Sequence, residues 1–206
     1  ESPTAYRQFQ LYQQALAQLQ AAGIDPLQKH MCNSGGSDWF RASFCNAVRI
    51  GRRLYMDNQA EPLTPGTPGA VQEACSWRAS VTNLRVVEAG DTVGYDAAWT
   101  APRRTRVATV CVGYGDGLYY PLAEAGGPLL VGEQKARLLA TCMDQCFVDV
   151  TDIPCRAGDE VTFFGQSSGG AAMPIQELGK FMHVEGVYFY SFLSPRVARV
   201  YEGLEP

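Results

Sequence analysis

The first segment of the chain has the pattern of an amphipathic helix. Over residues 4–22, apolar side chains recur at helical spacing among glutamines, at Phe9, Tyr12, Leu16 and Leu19. Gly23 follows and is expected to end the helix, because glycine readily adopts the left-handed conformation found after helix C-termini. The pattern therefore predicts a helix whose apolar stripe packs against another part of the protein.

The next segment alternates between strand-like and helix-like patterns. Residues 27–32 and 47–50 favour short strands, and residues 38–46 between them favour a helix. Strand, helix, strand is the rhythm of a parallel α/β sheet. Two strands cannot form a stable parallel sheet alone, because both faces and both edges would stay uncovered.

Short β-rich runs separated by turns dominate the rest of the chain, after a proline- and glycine-rich connector at residues 59–75. The runs are residues 77–87, 92–100, 107–113, 129–131, 136–141, 147–150, 160–164, 187–193 and 197–201. One helix is expected at residues 175–182, after Pro174. Runs 92–100 and 107–113 bracket a turn-prone segment and predict an antiparallel pair. The pattern predicts a compact β-barrel or sandwich.

Composition excludes several classes of protein. The 206 residues are 46% hydrophobic and 18% charged, which fits one large or two small domains. The net charge of -4 disfavours nucleic acid as a partner. No apolar run is long enough to span a bilayer, and no signal peptide is recognisable, so we expect no membrane segment in the chain.

The cysteines indicate reduced thiols rather than disulfides or a metal site. Seven is an odd number, and the spacing is not that of a disulfide framework. Cys142 and Cys146 stand four positions apart, but no second pair completes a zinc site, so no metal is expected. Buried thiols suit a cytoplasmic protein.

Six short motifs follow one another along nearly the whole chain: His30–Ser34, Val48–Tyr55, Gly90–Tyr95, Gly113–Gly117, Cys142–Gln145 and Ser194–Tyr201. In this order they resemble the alanine racemase family, pyridoxal-phosphate enzymes built from a (β/α)8 barrel and a C-terminal β domain. The resemblance implies an α+β chain. Residues 1–58 would be a remnant of the last strands and helices of the (β/α)8 barrel, residues 59–75 a linker, and residues 76–206 a mainly antiparallel β-barrel domain.

Racemisation requires one base on each face of the substrate's α-carbon, while the cofactor delocalises the carbanion. The resemblance assigns one base to Tyr95, contributed across a head-to-tail homodimer. Its phenol has an ordinary pKa of about 10 and would need cationic or hydrogen-bonding neighbours that favour the phenolate. The alternative is a structural tyrosine on a β edge.

The resemblance also implies the contacts to pyridoxal 5'-phosphate. Arg49 would meet the pyridine nitrogen and His30 would lie beside the ring, while Ser34, Gly51 and Arg52 would contact the phosphate. A lone histidine at a strand end is otherwise often a core residue. The lysine that carries the cofactor as a Schiff base lies near the start of the barrel in the family. Lys29, Lys135 and Lys180 match no such motif, so the chain alone is expected to be inactive.

The substrate side would be lined by Tyr114, Met143 and Asp144, with Ala140 where many alanine racemases have arginine. A methionine in a β-rich segment otherwise usually fills core space. These features predict the C-terminal part of a racemase acting on alanine. A serine racemase with a membrane-linked parent, placing this chain at the cytoplasmic face, and a non-catalytic β-barrel dimerisation module remain alternatives.

Overall fold

The computed structural model describes residues 2–39, 45–51, 54–55 and 73–203. The chain divides into two compact units, residues 1–72 and 73–206. Most of the predicted linker, residues 59–72, lies outside the described residues. The domain bounds inferred from the sequence therefore stay a prediction.

The first unit begins with helix α1 (Pro3–Ala21). The Ser2 hydroxyl caps it by accepting a hydrogen bond from the Ala5 N–H. Gly23 follows the helix at φ 77°, as its C-terminal position predicts. None of the helix residues is buried within the described part of the chain, so the apolar stripe is left partly open.

The two predicted strands of this unit, residues 27–32 and 47–50, are wrong as strands. The described residues contain one parallel bridge, between Asn33 and Arg49, and helix α2 (Gly36–Trp39) lies between the two segments. The predicted helix 38–46 overlaps α2 only at its start, and residues 40–44 lie outside the described residues. A parallel ladder extends only where further strands lie beside it. Here hydrogen bonds from side chains help to join the two segments instead.

The second unit is a closed antiparallel barrel. Its strands are β1 (Trp77–Val87), β2 (Thr92–Val93), β3 (Trp99–Thr100), β4 (Thr105–Val110), β5 (Pro128–Val131), β6 (Gln134–Thr141), β7 (Cys146–Asp149), β8 (Glu160–Gln166) and β9 (Ala172–Met173). The main sheet has the order β1-β4-β7-β6-β5-β8-β9, and β1 also pairs with β8, so six strands close on themselves. Three helices accompany them: α3 (Tyr120–Glu124), α4 (Ile175–Met182) and α5 (Val187–Phe192). The predicted α+β class is confirmed.

The barrel interior is filled by branched aliphatic side chains. Val110, Val148 and Val161 are fully buried, and Leu138 is 1% exposed. Strand residues alternate between the two faces of a sheet, so one face of each strand meets this core. The apolar core fixes the strand ends, and the turns that join those ends carry the candidate site.

The predicted pairing of residues 92–100 with residues 107–113 is wrong. Strand β2 pairs with β3, so the first run folds back on itself, and β4 pairs with β1 and β7. The break comes at Gly94, whose φ of 88° and ψ of 176° suit glycine almost alone. A 3₁₀ turn, Tyr95–Ala97, follows it.

Near the C-terminus, the predicted strand 187–193 is wrong because these residues form α5, and no strand covers residues 197–201. Helices α4 and α5 approach closely where a Cβ added to Gly179 would lie 2.7 Å from the Gly186 nitrogen. Phe189 and Phe192 of α5 both contact the Tyr119 ring. Three-residue spacing puts these rings on one helix face, so packing overrides their strand preference.

Among the described residues, the helices are too short or too polar to cross a lipid bilayer.

Candidate active site

In the first unit, the structure brings His30 and Arg49 together. An Arg49 guanidinium nitrogen, Nη1, lies 3.0 Å from His30 Nδ1. Because a guanidinium can only donate, His30 Nδ1 is the acceptor in this bond. Both residues are exposed, so His30 is not a core histidine.

Ser34 and Gly51 form a second contact in this unit. The Ser34 hydroxyl oxygen accepts the Gly51 N–H at 3.0 Å, and Ser34 is only 5% exposed. The space where Gly51 would carry a Cβ is open, with nothing within 4 Å. The Ser34 hydroxyl therefore lies next to the Gly51 backbone, and open space adjoins Gly51. Arg52, the third predicted phosphate contact, lies outside the described residues.

Asn46 is a positioning residue that the motifs do not reveal. Its side-chain oxygen accepts the Lys29 N–H at 2.8 Å, and its amide nitrogen donates to the Leu27 carbonyl at 2.8 Å. The segment before His30 is therefore tied to the segment before Arg49. Only a polar residue between two apolar runs could have signalled this role.

In the second unit, Tyr95 stands at the start of a strained turn and its side chain is 56% exposed. Asp96 and Ala97 follow at φ values of 53° and 57°, a region that non-glycine residues adopt at a cost. Tyr95 is thus displayed outward, and its prediction as a base stays open.

The neighbours of the Tyr95 phenol raise its pKa. The Cys142 thiol contributes most, followed by burial, Tyr114, Asp144 and a hydrogen bond with Cys142. The structure therefore brings Tyr95, Tyr114 and Asp144 to one place, together with Cys142, which the site prediction omitted. The direction is opposite to what a phenolate base requires, because each of these groups is itself an acid.

Two turns are joined beside Tyr95. The Tyr114 N–H donates to the Cys142 carbonyl at 3.0 Å, and the Gly115 N–H donates to the Met143 carbonyl at 2.8 Å. A Cβ at Gly113 would lie 2.3 Å from the Cys142 carbonyl oxygen, so only glycine permits this approach. Met143 is 51% exposed and does not fill the core.

Ala140 lies beneath this surface rather than on it. It is 2% exposed and belongs to a core cluster with Val87, Val93 and Val107. Its Cβ would be 2.8 Å from a Cβ added to Gly94. The small side chain at position 140 therefore supports the Tyr95 turn from below.

Two of the three lysines are held in ion pairs. Lys29 Nζ lies 2.6 Å from an Asp25 carboxylate oxygen, and Lys135 pairs with Glu177. Lys180 lies exposed in α4. Within residues 2–39, 45–51, 54–55 and 73–203, no group of three or more histidine, cysteine or acidic side chains is arranged to hold a metal ion.

Comparisons with known proteins agree with the division of the chain into two units. The alanine racemase N-terminal domain family matches residues 1–59, and the alanine racemase C-terminal domain family matches residues 74–201. An alanine racemase from Desulforamulus reducens is 32% identical over 198 residues, covering 95% of this chain and 52% of the relative.

Solved structures show the same fold. Biosynthetic alanine racemase from Pseudomonas aeruginosa superposes with a TM-score of 0.78 at 31% identity, covering 98% of this chain and 53% of that one. Alanine racemase from Bartonella henselae, solved with covalently bound pyridoxal phosphate, has a TM-score of 0.78 at 23% identity, covering 98% of this chain and 53% of that one. The chain thus spans about half the length of the relatives it matches.

Proposed function

Because the chain belongs to the alanine racemase family, we propose that it is the C-terminal part of a pyridoxal-phosphate enzyme that interconverts L- and D-alanine with two bases. The observation that carries the proposal is the exposed Tyr95 phenol, displayed on a strained glycine turn beside Tyr114 and Asp144. A tyrosine that merely covered a β edge would not need two left-handed residues after it.

The first unit has donors that fit the cofactor. The Ser34 hydroxyl and the Gly51 N–H, which bond to each other at 3.0 Å, are groups that suit a phosphate oxygen once they turn toward it. When bound, pyridoxal phosphate supplies the electron sink that stabilises a carbanion at the substrate's α-carbon. We propose that Ser34 and Gly51, with Arg52, hold the phosphate.

Arg49 suits the pyridine nitrogen. A guanidinium keeps its proton at any physiological pH, so it would offer that nitrogen a hydrogen-bond donor without transferring a proton to it. The 3.0 Å bond to His30 restrains the guanidinium, and the backbone bond from the Arg49 N–H to the Cys32 carbonyl, at 2.8 Å, fixes the Arg49 backbone. His30 therefore acts as a positioning residue for Arg49.

The proposed catalytic roles are divided between copies of the protein. In a head-to-tail homodimer, the cofactor contacts of one copy would meet Tyr95, Tyr114, Met143 and Asp144 of the other. The exposure of Tyr95, Tyr114 and Met143, at 56%, 41% and 51%, supports a surface that meets another molecule. The covalent lysine anchor would come from residues outside this chain, since Lys29 and Lys135 are held in ion pairs.

The proton chemistry assigned to this chain lies at the Tyr95 hydroxyl oxygen. It would take or return the α-proton on one face of the substrate, and the lysine would serve the other face. Alanine is the substrate we propose, because the relatives that match over most of this chain are alanine racemases.

The decisive experiment replaces Tyr95 by phenylalanine in a full-length protein that carries this chain as its C-terminal half. Alanine is followed in D2O by both inversion and deuterium uptake at the α-carbon. We expect inversion to fall about 100-fold or more, a usual effect of losing a general acid or base. Deuterium uptake with retention should fall much less for the enantiomer whose α-proton faces the lysine, because that face still exchanges its proton.

Tyr201→Phe is the matched control, since Tyr201 is also exposed, at 72%, and lies in the same unit. It should leave both rates unchanged. Equal inversion in Tyr95→Phe and the unaltered protein would refute the assignment of Tyr95. Turnover by the isolated chain with L-alanine and pyridoxal phosphate would refute the proposal that the lysine lies elsewhere.

A further inference from the structure

Asp116 lies at the end of the turn that displays Tyr114 and is among the least exposed acidic side chains of the described residues. The side chain is only 13% exposed. Its Oδ2 accepts the Gly113 N–H at 3.0 Å, and its backbone N–H donates to the Gly113 carbonyl at 3.0 Å. The carboxylate thus closes the turn from Gly113 to Asp116 on itself.

The second carboxylate oxygen faces a cation from the C-terminal segment. Asp116 Oδ1 lies 3.5 Å from Arg196 Nε. A poorly hydrated carboxylate with one hydrogen-bond donor is costly unless a positive charge lies nearby. Arg196 supplies that charge, and its own side chain remains 56% exposed.

Backbone contacts align the same two segments. The Ser194 N–H donates to the Asp116 carbonyl at 3.0 Å. Gly117 has a φ of 111°, and a Cβ there would lie 2.2 Å from the Phe192 carbonyl oxygen. The segment Phe192–Arg196 therefore lies directly behind the Tyr114 turn.

Arg196 also reaches the junction between the Tyr114 and Met143 turns. A Cβ added to Gly115 would lie 3.1 Å from Arg196 Nη1, 3.3 Å from Met143 Cγ and 2.8 Å from the Met143 carbonyl oxygen. Arg196 and Met143 therefore both approach Gly115 at the place where a Cβ would lie. The guanidinium thus lies close to the residue whose N–H bonds to the Met143 carbonyl.

We propose that Asp116 and Arg196 are positioning residues that hold the Tyr114 turn against the Met143 turn, making the segment Phe192–Arg196 part of the substrate-side surface. The proposal concerns neither proton transfer nor cofactor binding. It rests on the proposed racemase function only for its consequence in catalysis. Whether Asp116 and Arg196 hold the two turns together can be measured in this chain without an activity assay.

The structural test is amide hydrogen exchange in the 206-residue chain, followed by NMR at Tyr114 and Gly115. These two N–H groups donate across the junction between the turns, so exchange requires the junction to open. Asp116→Ala removes the turn closure and the ion pair, and should speed exchange at both amides about tenfold. Asp116→Asn and Arg196→Met lose the ion pair and should speed it about threefold.

Two variants separate charge from size. Arg196→Lys keeps the positive charge beside Asp116 and should retain most of the protection. Arg104→Met is the matched control, because Arg104 makes an ion pair with Glu88 at 3.1 Å where both side chains are largely exposed. It should leave Tyr114 and Gly115 unchanged. Unchanged exchange at both amides in Asp116→Ala and Arg196→Met would overturn the proposal, as would an equal acceleration in Arg104→Met.

The catalytic test uses the full-length protein. Arg196→Met should raise KM for alanine more than it lowers kcat, and Arg196→Lys should restore KM, because the turn contributes to the substrate side. If the unaltered protein racemises alanine and Arg196→Met has the same KM and kcat, the positioning role is refuted while the racemase function stands. If the unaltered protein does not racemise, the proposed function fails, and the exchange rates alone decide whether Asp116 and Arg196 hold the turn.

Discussion

Gly94 controls how Tyr95 is displayed, and Gly94→Ala is therefore a sharp test of the site. Its backbone, at φ 88° and ψ 176°, lies in a region essentially restricted to glycine. Forcing a residue with a Cβ into such a region costs about 1–3 kcal/mol. The added Cβ would also lie 2.8 Å from Ala140 Cβ and 3.2 Å from Ala98 Cβ.

The steric contact adds to the backbone cost. Ala140 is in the core and cannot move freely, so overpacking there should contribute a further cost of about 1–3 kcal/mol. We expect Gly94→Ala to lower the free energy of unfolding by about 3 kcal/mol in total. Urea unfolding reports this change, and Trp99, which packs on the same core cluster, provides the fluorescence signal.

Gly90→Ala separates the two contributions. Gly90 also has a positive φ, 93°, but nothing lies within 4 Å of its Cβ position. Gly90→Ala should lower the free energy of unfolding by the backbone cost alone, about 1–2 kcal/mol. The double variant Gly94→Ala with Ala140→Gly removes the contact with the Ala140 Cβ, so its cost should be less than the sum of the two single costs. A Gly94→Ala midpoint equal to that of the unaltered protein, or strict additivity in the double variant, would refute this reasoning.

Two carboxylates should show opposite pH behaviour. Burial tends to raise the pKa of Glu160, but hydrogen bonds from the Ser168 side chain and backbone and the charge of Arg78 outweigh burial and lower the pKa. The stabilisation from Glu160 is therefore present above its unfolded-state pKa of about 4.3 and is lost as the pH falls through its folded-state pKa. Glu160→Gln should cost about 1–2 kcal/mol at pH 7 and little at acidic pH, and a urea midpoint difference that does not shrink on acidification would contradict this. Burial raises the pKa of Glu73, although the Ile175 N–H bond to its carboxylate opposes the shift. The stabilisation from protonated Glu73 is therefore present below its unfolded-state pKa and is lost as the pH rises through its folded-state pKa. Glu73→Gln keeps the acceptor, so it should be at least as stable as the unaltered protein at pH 7 and lose that advantage near pH 4; thermal unfolding at both pH values tests this, and a large loss at pH 7 alone would contradict it.

Local pattern was sufficient wherever a segment's own sequence decides its structure. Strand β1 matches the predicted bounds 77–87, and α4 matches 175–182. In β1, apolar residues recur on the side that faces the barrel interior, and Pro174 fixes the start of α4. Both features can be read within a few residues.

The partner of each strand could not be predicted from local sequence in the same way. Residues 92–100 have strand-like composition throughout, yet Gly94 reverses the chain within them. Which strand β4 joins depends on closure of the whole barrel, since β1 must pair on both edges. The aromatic run 187–192 becomes helical because Tyr119 and α4 lie on one side of it.

The site was likewise only partly readable from the sequence. The motifs identified Tyr95, Tyr114 and Asp144, which the structure brings together. They did not show that Asp116 meets Arg196, because that contact joins two turns far apart in sequence. The motif containing Asp116 is equally compatible with a simple turn, and only the chain fold supplies its partner.

The surroundings of Tyr95 indicate what the complete site must add. In the described residues, the groups that shift its pKa are the Cys142 thiol, Tyr114 and Asp144, and all of them favour the protonated phenol. The role as a base that we propose for Tyr95 would require the loss of that proton near neutral pH, and a positive charge or a strong hydrogen-bond donor from another part of the assembled protein would favour it. On this proposal the β unit positions the phenol, and the groups that would make it basic would come from the surface it faces. Tyr95 should accordingly titrate above 10 in the isolated chain and at a lower pH once that surface is present, which ¹³C NMR of labelled tyrosine can measure.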